Sequence, residues 1–381
     1  MSPSTAADSV RALQSEEELV ELVRAGAPLH VIGSGTKRHH GPAPVGEAQT
    51  VGLRKLNRIT AYEPGDLVVT VQAGAKLTEI QAELAKRNQW LPIDPPYADA
   101  TIGGILATNS SGPRRYGYGT IRDHLLGTRT VGADGVVTRS GGRVVKNVTG
   151  FDLHKLHVGA FGSLGIVTEA SFKLRPRPDI SAAFVFPCAS VEEAHALCLR
   201  VYDSKLRPVA LEALDGRIRH IIDGQALAII GVEGSRPVID RHYRELRDLA
   251  PKIGCMEGDR ADPLWNALRK LPDALKDYVR LRAGAKPNEL RRILPSGPTW
   301  ISVGTGIARV DLEPGADLHF SLRRMADKAA SLGGYIVAES APLDMPNRDK
   351  LPWGPAESPL LKNLRAMRDP RKILNPGRVT V

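Results

Sequence analysis

Three glycine-rich segments limit what this chain can fold into. They lie at residues 33 to 35, 103 to 112 and 159 to 165, all before the prolines at 176 and 178. Glycine at such points allows a positive φ and lets another group approach the backbone without meeting a Cβ. Successive exposed amides then form a concavity that suits an anion. Any one of these segments reads as an ordinary turn. Three in one region point instead to a phosphate-bearing cofactor.

Two familiar phosphate motifs do not account for them. A dinucleotide fingerprint GxGxxG must follow a strand and open a helix. Here "GSGTKR" lacks the third glycine, and "HHGPAPVG" after it cannot begin a helix. The Walker A pattern GxxxxGK[ST] is absent.

The chain alternates helix and strand signals. Ser15 and Glu18 form a capping box, so a helix is expected to end at Gly26. "PLHVIGSG" predicts a strand over 28 to 32, "DLVVTVQAG" a second strand, and Leu77, Ile80 and Leu84 one face of a helix. Asp134-Gly135 marks a hairpin. Beyond Pro178, Ser190 caps a helix, "VALEAL" and "ALAIIGVEG" predict strands, "RPVIDRHYRELRDLA" a helix, and "TWISVGTGIARV" one strand. "FSLRRMADKAASLGG" predicts a helix, "YIVAES" a strand, and the last forty residues one helix and a terminal turn. The mixture implies an α+β sheet covered by helices on one face. Met1 to Ser9 carries no apolar period and is expected to be disordered.

At 381 residues the chain exceeds one core, so two domains are expected. The net charge of +10 suits an anionic cofactor, substrate or surface. Nucleic acid is disfavoured, because aromatics are 5% of residues and no basic run is interleaved with them. Three cysteines, Cys188, Cys198 and Cys255, form no CxxC pair and read as buried thiols. No stretch reaches the roughly 18 apolar residues of a membrane span. A cytoplasmic protein, at most peripheral to a membrane, is the expectation.

The order "VIGSGTK", "PPYADATIGGILATNSSGPRRYGYGTIRDHLLGTRTV", "KNVTGFDLHKLHVGAFGSLGIVTEASFKL" and a terminal "ILNPGR" resembles the FAD-linked oxidase family with PCMH-type FAD-binding domains, typified by vanillyl-alcohol oxidase and D-lactate dehydrogenase. Within it the pattern is most similar to the FAD-binding E subunits of bacterial glycolate oxidases. The resemblance covers most of residues 28 to 178 and the tail. It implies an α+β fold in which a two-part FAD-binding domain, residues 1–178 completed by 341–381, carries a cap or docking domain with its own sheet at 179–340.

The resemblance also implies roles for residues. Gly33, Ser34, Gly35, Thr36 and Lys37 would wrap the FAD pyrophosphate. Thr101, Ile102, Gly103, Gly104, Thr108, Asn109 and Gly112 would lie along the flavin and ribityl chain. Arg114 and Arg122 would neutralise phosphate or receive a substrate carboxylate, whereas Arg115 reads as solvated or ion-paired. Gly165, Ile166 and Val167 would reach the adenine, and Asn375 would bring the tail toward the flavin. Many members attach FAD through a histidine, but neither His39 nor His40 falls at that position; both read as surface imidazoles. No HxH or HExxH pattern exists between 180 and 345, so His195, His220 and His242 stand alone and no metal site is expected. Catalytic residues stay unassigned, with Lys146, Asn147 and Asp152 the polar groups expected nearest the flavin.

The implied activity is that of an FAD-binding subunit of a glycolate oxidase-like 2-hydroxy acid oxidoreductase. Electrons would pass through FAD toward an iron–sulfur subunit, with a second FAD-linked subunit as another partner. Two alternatives stay open: a standalone FAD-dependent oxidase or dehydrogenase of another alcohol or hydroxy acid, and a noncatalytic FAD-binding scaffold subunit.

Overall fold

Short local signals set most of the elements in the computed structural model. It describes residues 10–142, 151–216, 226–250, 253–274, 276–295, 298–315, 318–354 and 359–379. Lys146, Asn147, His220 and the first nine residues lie outside them. The first helix, Glu16–Ala25, starts where Ser15 accepts from the Glu18 amide and stops at Gly26, φ 80°.

Residues before 180 build two sheets. Three short strands run parallel in the order Arg11–Ala12, Gln49–Gly52, Leu29–Ile32. Five antiparallel strands follow the order Ile59–Glu63, Val68–Gln72, Ile166–Lys173, Leu125–Val131, Val137–Gly141. The C-terminal tail returns to the first sheet: the Leu29 amide donates to Ile373 O at 2.8 Å, and the Asn375 amide donates to Leu29 O at 2.9 Å.

An antiparallel sheet of eight strands runs from Ile180 to Ser340. Its order is Gly254–Glu257, Ile180–Cys188, Ala226–Gly234, Ala210–Asp215, Thr299–Ser302, Ile307–Leu312, Val279–Gly284, Tyr335–Ser340. Two sequence expectations need correction here. "TWISVGTGIARV" is a hairpin of two strands, turned at Gly306 with φ 65°, because its central glycines break the β run. Helices also cover both faces of the sheet. Val191–Tyr202, Arg236–Leu249 and Leu318–Ser331 pack one side, and Asp262–Ala274 brings Leu264, Trp265 and Leu268 to the other.

Arg114 joins the glycine-rich region to the eight-stranded sheet. Its Nε donates to Glu233 at 2.7 Å, its backbone amide donates to Asp94 at 3.1 Å, and Tyr118 donates to Glu233 at 2.6 Å. The guanidinium lies over the rings of Trp90 and Trp265, 5.6 and 5.3 Å from their centroids. Side-chain exposure is 14% for Arg114 and 2% for Glu233, so deleting the cation strands a buried carboxylate. Arg114→Ala is expected to lower stability by about 3–5 kcal/mol, measured by urea unfolding; a loss below about 1 kcal/mol would show that the join does not depend on this pair.

Candidate functional site

The three glycine segments meet around one short helix, Ile102–Thr108. Thr101 caps it by accepting from the Gly104 amide. A Cβ on Gly33 would stand 2.0 Å from Thr101 Oγ1, so the first loop presses directly on this cap. At the helix's other end the amides of Gly159 and Phe161 donate to Leu106 O and Ala107 O, both at 2.9 Å. The third segment therefore hangs from carbonyls of the helix's last turn.

A cavity of about 670 Å³ opens along this junction, walled by Gly33 to Lys37, Thr101, Gly104, Thr108 and Asn375. The amides of Ser34, Gly35, Thr36 and Lys37 donate to no other described residue. Carbonyls on the far side of the loop are held by the tail: Arg378 donates to Arg38 O and Pro42 O, and Arg348 donates to His39 O and Gly41 O. The loop is thus fixed by its acceptors while its donors stay available. Lys37 Nζ is buried and finds no hydrogen-bond partner among the described residues. Burial pulls it down to about 8, so an anion in the cavity would be favoured as its partner.

A branch of about 70 Å³ extends this cavity past Gly103, Gly165, Ile166 and Val167. A second cavity of about 500 Å³ adjoins it, sharing Thr108, Phe161 and Arg378 and reaching Asn109. Four sequence assignments fall outside these spaces. Ile102 is buried in the apolar core, a Cβ on Gly112 would meet Asp94 O at 2.0 Å, Arg114 is held at the join described above, and Arg122 is exposed. Asp152 is exposed and pairs with Lys155.

The reading of Arg115 also needs correction. It lines the second cavity, where burial and the neighbouring Arg309 and Arg282 lower its pKa. Arg282 and Arg309 stand directly opposite each other on adjacent antiparallel strands, and Arg309 in turn faces Trp300 on the next strand. Like charges in that register repel. Glu339 relieves Arg309, accepting from its Nε at 2.8 Å. Burial by itself would raise the Glu339 carboxyl, but Arg309 and Arg282 hold it well below the usual carboxylate range. Glu339 occupies a shift in strand register, a bulge that re-aims it toward the cavity. Arg282 Nε is buried with no hydrogen-bond partner among the described residues. The cavity wall therefore carries an excess of positive charge on half-buried side chains.

Behind Trp300 lies Glu212, whose Oε2 accepts from Trp300 Nε1 at 2.5 Å and from Ser302 at 2.7 Å. His39 and His40 are likewise not surface imidazoles. Both ring Nε2 atoms lie 3.0 Å from Tyr97 Oη, and His40 is 8% exposed. His195 and His242 are buried and bonded to backbone groups at 3.0 and 2.8 Å. Among the described residues no three His, Cys, Asp or Glu side chains are placed to hold a metal ion. The sheet's arginines escaped sequence reading, although "VRLRAG" does put Arg280 and Arg282 on one face of a buried strand.

A cleft lined by glycine backbone and open amides, with a buried lone ammonium beside it, fits a long cofactor that carries phosphate. The comparisons with known proteins agree. Residues 7–141 match the family model described as an FAD binding domain. An uncharacterized FAD-linked oxidoreductase of Mycobacterium tuberculosis is 32% identical across 95% of this chain and 88% of that one. The glycolate oxidase subunit GlcD of Bacillus subtilis is 26% identical across 98% and 88%. Glycolate oxidase subunit GlcE of Escherichia coli is 41% identical across 43% of this chain, which spans 47% of that relative's length. Among solved structures, an alkyldihydroxyacetonephosphate synthase shares the fold, with a TM-score of 0.66 at 20% identity over 96% of this chain and 76% of that one. The chain belongs to the FAD-linked oxidoreductases, and FAD is its cofactor. No helix among the described residues is long and apolar enough to cross a membrane.

Two outcomes test this site. A Cβ on Gly104 would meet only Thr101 Oγ1, at 3.3 Å, and would otherwise project into the cavity. Gly104→Val is expected to keep the fold, read by circular dichroism, while raising the Kd for FAD at least about tenfold, the loss of ~1.4 kcal/mol. Burial lifts Glu212 from 4.5 to about 7, so its folded state binds the proton more tightly than the unfolded chain does. That contribution is full below about pH 4.5 and is lost as pH rises through about 7, about 3 kcal/mol in all. Glu212→Gln, whose amide oxygen can still accept both bonds, should flatten stability between those pH values. Asp94, lifted to about 6 by burial, should leave a smaller slope at the acid end.

Proposed function

We propose that this chain is the FAD-binding subunit of a glycolate oxidase-like 2-hydroxy acid oxidoreductase. The single observation that carries the reading is the half-buried cationic wall of the second cavity, beside a cofactor cleft. Arg282 and Arg115 grip the substrate carboxylate there. Arg309, neutralised by Glu339, and Trp300 form the adjoining wall. A guanidinium fork matches a carboxylate in shape as well as charge. Bound FAD supplies the two-electron acceptor for oxidation of the carbinol carbon. Phe161 and Thr108 stand where the two cavities meet and shape the passage between cofactor and substrate.

The electrons then leave for a separate iron–sulfur subunit, with a second FAD-linked subunit completing the complex. Three cysteines cannot supply a four-thiolate cluster. The relatives named as glycolate oxidase subunits support a role in an assembly.

The test is anaerobic mixing of the FAD-loaded chain, alone and with its partner subunits, with glycolate, D-lactate and larger 2-hydroxy acids. Bleaching of the flavin absorbance supports the reading. A flavin that stays oxidised with every hydroxy acid, even in the complete complex, identifies a scaffold subunit instead. Arg282→Met should raise KM about 10- to 100-fold, the range for losing a hydrogen-bonded charge. Plain alcohols without a carboxylate should not distinguish the variant from the parent.

A further inference from the structure

The cofactor loop ends in two adjacent histidines that share one phenol. His40 lines the second cavity, and the chain there is stitched to the edge strand Tyr335–Ser340: the Gly41 amide donates to Glu339 O and the Ala341 amide to His39 O, both at 3.1 Å. The stitching fixes His40 beside the cationic wall. Tyr97 Oη lies 3.0 Å from His40 Nε2 and 3.0 Å from His39 Nε2. A phenol has one proton to donate and lone pairs to accept, so it can bridge two imidazoles by donating to one and accepting from the other, the arrangement a relay requires, or by accepting from both. Tyr97 is held there with φ at 70°, a conformation uncommon for a bulky residue and one that demands support from its surroundings. Exposure grows along the series: His40 and Tyr97 are buried, and His39 is half-buried.

Resting on the 2-hydroxy acid reading, we infer that His40, Tyr97 and His39 form a proton relay that takes the hydroxyl proton of a substrate in the second cavity and carries it outward. The O–H bond of the substrate breaks and its proton goes to His40 Nδ1, the ring nitrogen that Tyr97 does not occupy. His40 passes its Nε2 proton to the Tyr97 oxygen, and the Tyr97 proton moves to His39 Nε2. With FAD bound, the cofactor would accept the α-hydrogen with its electron pair, so that the substrate would lose one proton and one hydride and become the 2-oxo acid.

The surroundings suit a base. Burial holds His40 well below the ordinary imidazole value, so it is neutral and able to accept; Glu339 opposes this shift, while His39, Lys37 and Arg280 add to it. Once protonated, His40 faces the Glu339 carboxylate, which stabilises the cation. Lys37 stands 5.6 Å from the centre of the Tyr97 ring, between the relay and the cofactor cleft.

The experiment follows flavin reduction by a hydroxy acid in the FAD-loaded protein from pH 6 to 9, together with imidazole nitrogen NMR of the same protein without substrate. His40→Gln and His40→Gly are expected to keep FAD affinity but reduce flavin about 10²- to 10⁴-fold more slowly. Added imidazole should partly restore the glycine variant. Tyr97→Phe should slow reduction and alter the pH profile. By NMR, His40 Nε2 should carry a proton and His39 Nε2 should be bare, both resonances shifting in Tyr97→Phe. The relay is overturned if the parent flavin is reduced while the His40 variants match it, or if the two imidazoles prove alike at Nε2, both bare or both protonated. If no hydroxy acid reduces the parent flavin, the functional reading fails and the relay falls with it.

Discussion

A buried guanidinium stands at each end of the cofactor region, one joining it to the eight-stranded sheet and the other tying the cofactor loop to the C-terminal region. At one end the Arg114 backbone amide donates to the Asp94 carboxylate and its Nε donates to Glu233 of the eight-stranded sheet. At the other, Arg348 donates to the carbonyls of His39 and Gly41 and stacks on Trp353, 4.4 Å from the ring centre. Removing a guanidinium from water is costly, and burial lowers Arg348 to about 10. Such groups contribute little net stability compared with apolar packing. Their effect is directional: Arg114 meets Asp94 and Glu233 in one placement of the glycine-rich region against the eight-stranded sheet, and Arg348 Nη2 holds two loop carbonyls at once.

The cofactor loop shows how acceptors and donors can be divided. Its outer carbonyls are occupied by Arg348 and Arg378, both delivered by the C-terminal region, so the loop is rigid before any ligand binds. Its inner amides remain available. Preorganised donors of this kind bind an anion without a reorganisation cost. The tail is therefore part of the cofactor site twice over: its arginine sets the loop, and Asn375, accepting from the Val31 amide at 2.8 Å, holds the strand that leads into it.

The fold and the cofactor cleft were legible because their signals are local. Glycines, caps and the terminal "ILNPGR" announce backbone geometry, and the strands and helices around them follow from short periodic patterns. The second cavity was not legible in the same way. Arg114 and Arg115 are neighbours in sequence, yet Arg114 is ion-paired with Glu233 and Arg115 lines the cavity, the reverse of the placement expected of them. Nothing in "PRRY" distinguishes them, because the distinction is made by Glu233 and Arg309, more than a hundred residues away. His39 and His40 were misread for the same reason: the phenol that orders them lies 57 residues downstream of His40.

The row Arg282, Arg309, Trp300 makes the strongest physical case that the second cavity exists to hold something. A strand interior is an expensive place for a cation, and two opposite each other on paired strands are worse. Glu339 neutralises one of them by way of a bulge, a local break in a ladder that is otherwise regular. Arg280, two residues from Arg282 on the same face, has its own partner in Asp311 at 2.7 Å. The sheet thus supplies a carboxylate for Arg280 and one for Arg309, and none of the described ion pairs engages Arg282. A fold selected for stability alone would place an apolar side chain there. The anionic ligand proposed for this site would be the partner that makes this arrangement of charges favourable.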